Sequence, residues 1–246
     1  MKQILVIPAR MTGKRLPGKP LMSIFGKPML LRVWEQCEKV INKKDIFVAT
    51  EDKIIEKFCL KSGINVINTG YAPTAIYRIG LFSKIIKAKN YIVVNGDEPL
   101  ANIKDLKKLI KYGKKFPNRV AIGEGPCSKY KYNDKTKAKV IVSKSGKVLY
   151  TSRLSLPYSE KNYTNYAKNA IWYYSFNKKA LDHYIKNYNY VKTDKLEGLE
   201  INGMIECDID VYAIKMIGDS WAVDTKKDIT YVEKILNEKI LKKDRR

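Results

Sequence analysis

The chain has one histidine, His183, and only four cysteines, scattered as Cys37, Cys59, Cys127 and Cys207. Each scarcity removes a class of chemistry. No two cysteines form a C-x-x-C pair, so neither a zinc-site spacing nor a disulfide framework is indicated. A Ser-His-Asp hydrolase could draw only on His183, which lies in the helical stretch Leu181-Asp182-His183-Tyr184 with no serine elbow nearby. No apolar run reaches the roughly 20 residues that a membrane-spanning helix requires. Met1-Lys2-Gln3 enters an apolar segment at once, which predicts no signal peptide, no membrane partner and residence in the cytoplasm. Acidic residues are also few: 25 Asp and Glu against 48 Lys and Arg, a net charge of +23. That balance would suit a nucleic-acid binder. Yet the lysines are spread along the whole chain, and lysine outnumbers arginine, the residue on which base readers lean. No RNA-binding, helix-turn-helix or zinc-finger signature is present. The charge is read as a solvated surface with a general attraction for anions, and no specific nucleic-acid partner is expected.

A chain of 246 residues with 45% hydrophobic content can bury one sizeable core. Apolar runs and helical periodicities alternate. Strands are expected at 3–8, 46–50, 64–67 and 91–94, and helices at 30–42, 51–62, 78–87 and 102–110. Such alternation predicts an α/β fold with a mostly parallel, Rossmann-like sheet and the ligand beyond the carboxyl ends of its strands. From about residue 136 the pattern changes. Lys139–Val142 and Lys147–Tyr150 flank Ser143-Lys144-Ser145-Gly146 and read as a hairpin. The tyrosine-rich stretch 158–176 ends in the apolar run Ala170–Tyr174. Residues 136–176 are therefore expected to form an inserted antiparallel layer within a single domain spanning 1–246. A strand over 208–216 and a helix over 226–242 close the chain.

Ile4-Leu5-Val6-Ile7 leads into Pro8-Ala9-Arg10-Met11-Thr12-Gly13-Lys14-Arg15-Leu16-Pro17-Gly18-Lys19-Pro20-Leu21. Arg10, Lys14, Arg15 and Lys19 stand here among two glycines and three prolines. A strand opening into a stiff cationic loop suits a triphosphate: main-chain N–H groups approach closely while Arg and Lys neutralise charge. A second turn signal, Phe25-Gly26-Lys27-Pro28, and an amphipathic helix follow.

Three further segments are distinctive: Val94-Asn95-Gly96-Asp97-Glu98-Pro99-Leu100, Leu149-Tyr150-Thr151-Ser152-Arg153-Leu154-Ser155-Leu156-Pro157-Tyr158, and Trp221-Ala222-Val223-Asp224-Thr225. Together with the basic loop, in this order and spacing, they resemble the CMP-sugar synthetases of the 3-deoxy-manno-octulosonate cytidylyltransferase type. The resemblance covers nearly the whole chain. It implies the nucleotide-diphospho-sugar transferase fold, CTP as donor, Mg²⁺ as cofactor, a small acidic acceptor and a homodimer built on the inserted layer.

Transfer of a nucleotidyl group needs the triphosphate neutralised, the attacking oxygen aligned and the pyrophosphate stabilised. Mg²⁺ takes oxygen ligands, commonly one or two carboxylates with substrate phosphates. Asp97 and Asp224 each follow an apolar segment and are the natural pair. Helix capping is the competing role, for Asp97 before 102–110 and for Asp224 before 226–242. By match to the family loop, Arg10 and Lys19 are assigned to the phosphates. The resemblance extends nucleotide contacts to Pro8, Ala9, Thr12, Gly13, Lys14, Arg15, Arg78 and Asn95, with Lys14 standing where the family has Ser or Thr. It extends acceptor contacts to Glu98, Arg153, Tyr158, Asn169, Tyr173 and Glu197.

The acceptor side departs from the family pattern. Its S-G-T-D-R segment is here Pro73-Thr74-Ala75-Ile76-Tyr77-Arg78. Asn169 stands for a sugar-binding histidine, and Leu196-Glu197-Gly198-Leu199-Glu200 ends in glutamate where the family has arginine. No arginine occurs between Arg153 and Arg245. A carboxylate is best gripped by a bidentate guanidinium, so the departures admit lysine contacts in its place or a different acceptor, such as one bearing phosphate or phosphonate. A third possibility, a non-catalytic nucleotide- or RNA-binding relative, is disfavoured by the intact Asp97 and Asp224.

Overall fold

The structure, a computed structural model, describes residues 2–13, 15–218 and 221–244, with side chains in the last helix as far as residue 238. The chain begins with β1 (Gln3–Pro8), the short ribbon β2 (Ser23–Ile24) and β3 (Lys27–Pro28), and α1 (Met29–Glu38). Then come β4 (Ile46–Thr50), α2 (Lys53–Lys61), β5 (Asn65–Asn68), α3 (Ala75–Ile85), β6 (Asn90–Val94) and α4 (Ile103–Lys115). The second half runs through β7 (Val120–Pro126), α5 (Lys129–Asn133), β8 (Lys139–Val142), β9 (Val148–Ser152) and β10 (Lys168–Phe176). It continues with α6 (Lys178–Asn187), α7 (Thr193–Glu197), α8 (Glu200–Glu206), β11 (Val211–Lys215) and α9 (Lys226–Asp244).

Every residue of β1 is buried, as expected of a strand covered on both faces. Its side chains alternate between two cores. Ile4 and Val6 join a cluster with Ile79, Phe82, Leu181 and Met204, under α3, α6 and α8. Leu5 and Ile7 join the opposite cluster with Leu30, Val33, Ile55 and Leu106, under α1, α2 and α4. The period-2 geometry of a strand thus builds a three-layer α/β/α body.

The main sheet has the order β11-β7-β10-β6-β1-β4-β5. β4, β1 and β6 pair in parallel, as do β4 with β5 and β11 with β7. β10 runs antiparallel to both of its neighbours, β6 and β7. The inserted layer expected over 136–176 is therefore divided. The β8–β9 hairpin branches off β10, but β10 itself lies inside the main sheet. The reason is burial on both faces: Tyr174 and Phe176 enter one core, Ile171 and Tyr173 the other. Such a strand requires cover that only a sheet interior provides.

The expected strands and the long helices are present with shifted ends. The helix expected at 30–42 is shorter, and those expected at 78–87 and 102–110 start or end elsewhere. β7 had no expectation, because Gly123 and Gly125 interrupt its apolar pattern. They are glycines because Ile171 of β10 lies on top of them: an added Cβ at 123 would come within 2.9 Å of Ile171 Cβ, and at 125 within 2.8 Å of its Cδ1.

Candidate active site

Three loops at the carboxyl ends of parallel strands meet in one place. The basic loop leaves β1 and is shaped by its own main chain. Gly13 N and Gly18 N both donate to the Met11 carbonyl, at 3.0 and 2.8 Å. Met11 N donates to Asp52 Oδ2 at 2.8 Å. Gly18 carries φ 75°, which favours glycine. Leu16 then drops into a small satellite core with Ile24, Met29, Leu100, Val223 and Val232. That core fastens the loop to the segment 221–225 and to α9.

The second loop follows β6. Gly96 lets it approach β1 closely: its N–H donates to the Pro8 carbonyl at 3.3 Å, and a Cβ would stand 3.0 Å from that oxygen. The third is the segment before α9. It is tied down by Met216 N on the Glu124 carbonyl, and by Ile217 N and Gly218 N on the Asp105 carboxylate at 2.8 and 3.1 Å. Val223 N on the Asp97 carbonyl, at 2.8 Å, binds it to the second loop.

Lys19 stands at the junction. Its Nζ donates to Asp97 Oδ2 at 2.5 Å, to the Val223 carbonyl at 3.2 Å and to Asp224 Oδ1 at 3.4 Å. Arg15 adds a second cation to Asp224 at 2.9 Å. Burial alone would lower the Lys19 pKa, but Asp97 and then Asp224 outweigh it and hold the ammonium above the ordinary lysine value. Two carboxylate oxygens and a carbonyl therefore converge on one cation. This is a donor set of hard oxygens that suits Mg²⁺, with Asp97 and Asp224 as the residues that would hold it.

Neither aspartate is a helix cap. The cap of α4 is Asn102, whose Oδ1 accepts from Lys104 N and Asp105 N. At α9, Thr225 and Asp228 cap reciprocally. Thr225 N donates to Asp228 Oδ2 at 2.7 Å, and Asp228 N donates to Thr225 Oγ1 at 3.4 Å. Asp224 N also donates to Asp228 Oδ2 at 3.1 Å, which orients Asp224 while leaving its carboxylate for the cleft.

Of the other nucleotide-side residues, Pro8 and Ala9 are buried and contribute main chain, whereas Arg10, Thr12 and Arg15 are exposed on the loop and Gly13 is half-buried. Lys14 lies outside the described residues. Asn95 is half-buried, and its side-chain oxygen is buried without a hydrogen-bond partner. Arg78 is not an open cation. It is 2% exposed, pairs with Glu51 at 3.2 Å and donates to Thr69 Oγ1 at 2.9 Å, tying the ends of β4 and β5 together.

The acceptor-side residues do not converge as a set. Tyr173 is buried in the core, and its hydroxyl accepts from Asn102 N, the cap of α4, at 3.2 Å. Arg153 Nε donates to the Glu197 carbonyl at 3.0 Å and Nη1 to the Thr136 carbonyl at 3.1 Å. The Glu197 carboxylate accepts from Arg153 N, the Ser152 hydroxyl and the Tyr150 hydroxyl. The two residues lock the end of β9 onto α7. Asn169 sits on β10 opposite Lys139 and donates to the Ala170 carbonyl at 3.1 Å. Glu98 is buried within the second loop, and Tyr158 is 81% exposed.

Sequence reasoning missed Asp52, Asp105 and Glu200. Glu200 accepts from Ala75 N and Ile76 N, so it caps α3 together with Thr74. Its carboxyl is pushed up by burial, partly offset by those N–H groups. Only Thr225 and Asp228 carried a readable signal, the T-x-x-D spacing of a capping box.

This geometry can be compared with known proteins. A family profile described as cytidylyltransferase matches residues 4–216. The chain belongs to the cytidylyltransferase family. It is a nucleotidyltransferase, and its expected fold is matched by a solved CMP:2-keto-3-deoxy-manno-octonic acid synthetase in complex with CTP. That similarity has a TM-score of 0.86 at 26% identity, covering 97% of this chain and all of the other. The chain is 30% identical over 241 residues to a 3-deoxy-manno-octulosonate cytidylyltransferase of Koribacter versatilis, covering 97% of this chain and 92% of that one. It is 28% identical over 245 residues to an 8-amino-3,8-dideoxy-manno-octulosonate cytidylyltransferase of Shewanella halifaxensis, covering 95% and 98%.

Proposed function

We propose that this cytidylyltransferase transfers CMP from CTP to a hydroxyl of 3-deoxy-manno-octulosonate or a related acidic sugar. The acceptor oxygen forms the new bond to the α-phosphorus, the bond from that phosphorus to the β-phosphate bridging oxygen breaks, and pyrophosphate leaves. The acceptor hydroxyl gives up its proton to solvent as the new bond forms. The observation that carries the reading is the meeting of Lys19, Asp97 and Asp224 at the strand ends of a chain with these relatives.

Asp97 and Asp224 would hold Mg²⁺, which supplies charge neutralisation at the phosphates and orients them. Lys19 already balances these carboxylates, and its raised pKa keeps it cationic at neutral pH. On triphosphate binding its ammonium is free to turn to phosphate oxygens once another cation faces the aspartates. Arg10 and Arg15, exposed on the same loop, bring further charge to the pyrophosphate. The satellite core under Leu16 holds the loop so that these groups need little rearrangement.

The same reading includes a homodimer. Tyr158 and Tyr166, in the tyrosine-rich stretch of the inserted layer, are 81% and 85% exposed, and such side chains suit an interface because they bury area while keeping a polar tip. It also includes cytoplasmic residence and no sequence-specific nucleic-acid partner. Among the described residues no helix is long and apolar enough to cross a membrane.

The test is pyrophosphate release with each of the four nucleoside triphosphates against a panel of acceptors. The panel contains 3-deoxy-manno-octulosonate, its 8-amino analogue, and sugars bearing phosphate or phosphonate. Turnover is expected only with CTP and a sugar acid. Equal turnover with all four nucleotides would remove the cytidine assignment. Turnover only with a phosphate-bearing acceptor would replace the acceptor.

A further inference from the structure

A sugar acid needs a cation to meet its carboxylate, and the expected arginine is already engaged. Arg153 points its guanidinium at the main-chain carbonyls of Glu197 and Thr136. Position 200 holds a glutamate, bound to the N-terminus of α3. No arginine lies between Arg153 and Arg245.

The turn that Arg153 holds presents another cation. Residues 134–137 are fixed from several directions. Lys139 Nζ donates to the carbonyls of Asp134 and Lys137, at 3.1 and 2.7 Å, and to that of Arg153 at 2.7 Å. Asp134 Oδ1 accepts from Thr136 N at 2.7 Å. From this pinned turn Lys137 reaches across to the segment that carries Asp224. Its Nζ lies 4.2 Å from the centre of the Trp221 ring. The indole is itself held: Nε1 donates to Asp228 at 2.8 Å, and the ring packs on Tyr231 with centroids 4.4 Å apart. Among the described residues Lys137 forms no salt bridge.

One ammonium, resting on a π face, thus joins the turn held by Arg153 to the segment 221–225, whose Val223 carbonyl and Asp224 carboxylate accept from Lys19. A carboxylate offers an ammonium both charge and directed hydrogen bonds, where an indole offers only the field of its ring.

We propose that Lys137 determines acceptor specificity: its ammonium leaves Trp221 to pair with the carboxylate of the sugar acid, while Arg153 is a positioning residue that holds the turn. This rests on the acidic-sugar reading above. The experiment is steady-state pyrophosphate release by the full chain with saturating CTP. Acceptors are 3-deoxy-manno-octulosonate and its carboxamide analogue; enzymes are the wild type, Lys137→Met and Lys137→Arg. Lys137→Met should raise KM for the acid by about 10- to 100-fold, the value of one charge-assisted hydrogen bond. KM for CTP and for the carboxamide should stay within about two-fold. Lys137→Arg should recover most of the loss. An unchanged KM for the acid in Lys137→Met, or an equal loss on acid and carboxamide, overturns the proposal while leaving the function intact. A wild type that is thermally stabilised by CTP yet inert with every sugar acid overturns the acceptor reading, and the role of Lys137 with it.

Discussion

On the donor side, Lys19, Asp97 and Asp224 meet across 78 and 205 residues of chain, and the elements that carry them are held by other groups. The Thr225–Asp228 box caps α9, Asn102 caps α4, and the satellite core fastens the basic loop. On the acceptor side, Arg153 and Glu197 are themselves the fastening, joining β9, α7 and the 134–137 turn through main-chain groups. Both regions match family motifs, and both contain paired charges. They differ in whether anything else satisfies the surrounding backbone. Where a cap or a core does so, a charged side chain can exchange protein partners for ligand. Where it does not, the same side chain is structural before it is functional.

The sharpest test of this contrast removes charge on the donor side. Asp97→Asn and Asp224→Asn should each lower turnover by at least about 10³-fold, the scale for losing a preorganised charge at a transferring phosphoryl group. The fold should stay intact, since neither carboxylate caps a helix and Lys19 keeps the other as its partner. A variant with normal turnover and a lowered melting temperature would reverse the assignment. On the acceptor side the expectation is inverted. Glu197→Ala should cost about 1–3 kcal/mol in urea unfolding, because the Arg153 main-chain N–H and the Ser152 hydroxyl lose their acceptor. The shift in melting temperature produced by CTP should survive. A large rise in acceptor KM without loss of stability would instead put Glu197 in contact with the sugar.

A smaller effect is expected at the α9 cap. Burial would raise the Asp228 carboxyl, but hydrogen bonds from the Trp221 indole, Thr225 and the Asp224 N–H outweigh it and hold the pKa below the ordinary value. Its contribution is therefore complete above the ordinary carboxylate pKa and is lost as pH falls through the lower folded one. Asp228→Ala should cost about 1 kcal/mol at neutral pH. The gap from wild type should persist down to about pH 4 and close below it, followed by chemical unfolding across acid pH. Smallest of all is Tyr173→Phe, which should cost no more than about 1 kcal/mol and leave acceptor KM unchanged. A changed KM would return Tyr173 to the cleft.

These differences mark how far the sequence can be read. β1, β4 and β6 were plain because continuous apolar runs have no other stable place than a covered sheet. The position of β10 was not, because its neighbours β6 and β7 lie tens of residues away and its own pattern does not name them. β7 was hidden by the glycines that its contact with Ile171 demands. α7 and α8 are five and seven residues long, too short for periodicity to show. Lys19, Asp97 and Asp224, which the structure brings into contact, were each singled out by their motifs, whereas the ion pair of Arg15 with Asp224 had no local signal. At Arg153 and Tyr173 the motif could not say that the side chains bind main-chain groups of the fold.

The antiparallel place of β10 also bears on the order in which the molecule can assemble. The first hundred residues contain β1, β4, β5 and β6 with their helices, enough for a half-sheet. Its β6 edge stays unpaired until residues 173–176 are made, and β11 must then find β7. Asp224 follows later still. Non-local pairings of this kind slow folding and leave strand edges exposed while the chain waits. A nascent or truncated chain ending before residue 221 should therefore be able to form most of the sheet and yet lack one carboxylate of the pair. The pair would thus be completed only after every strand of the sheet has been made, so that a chain stopped at that point has a scaffold without its second carboxylate.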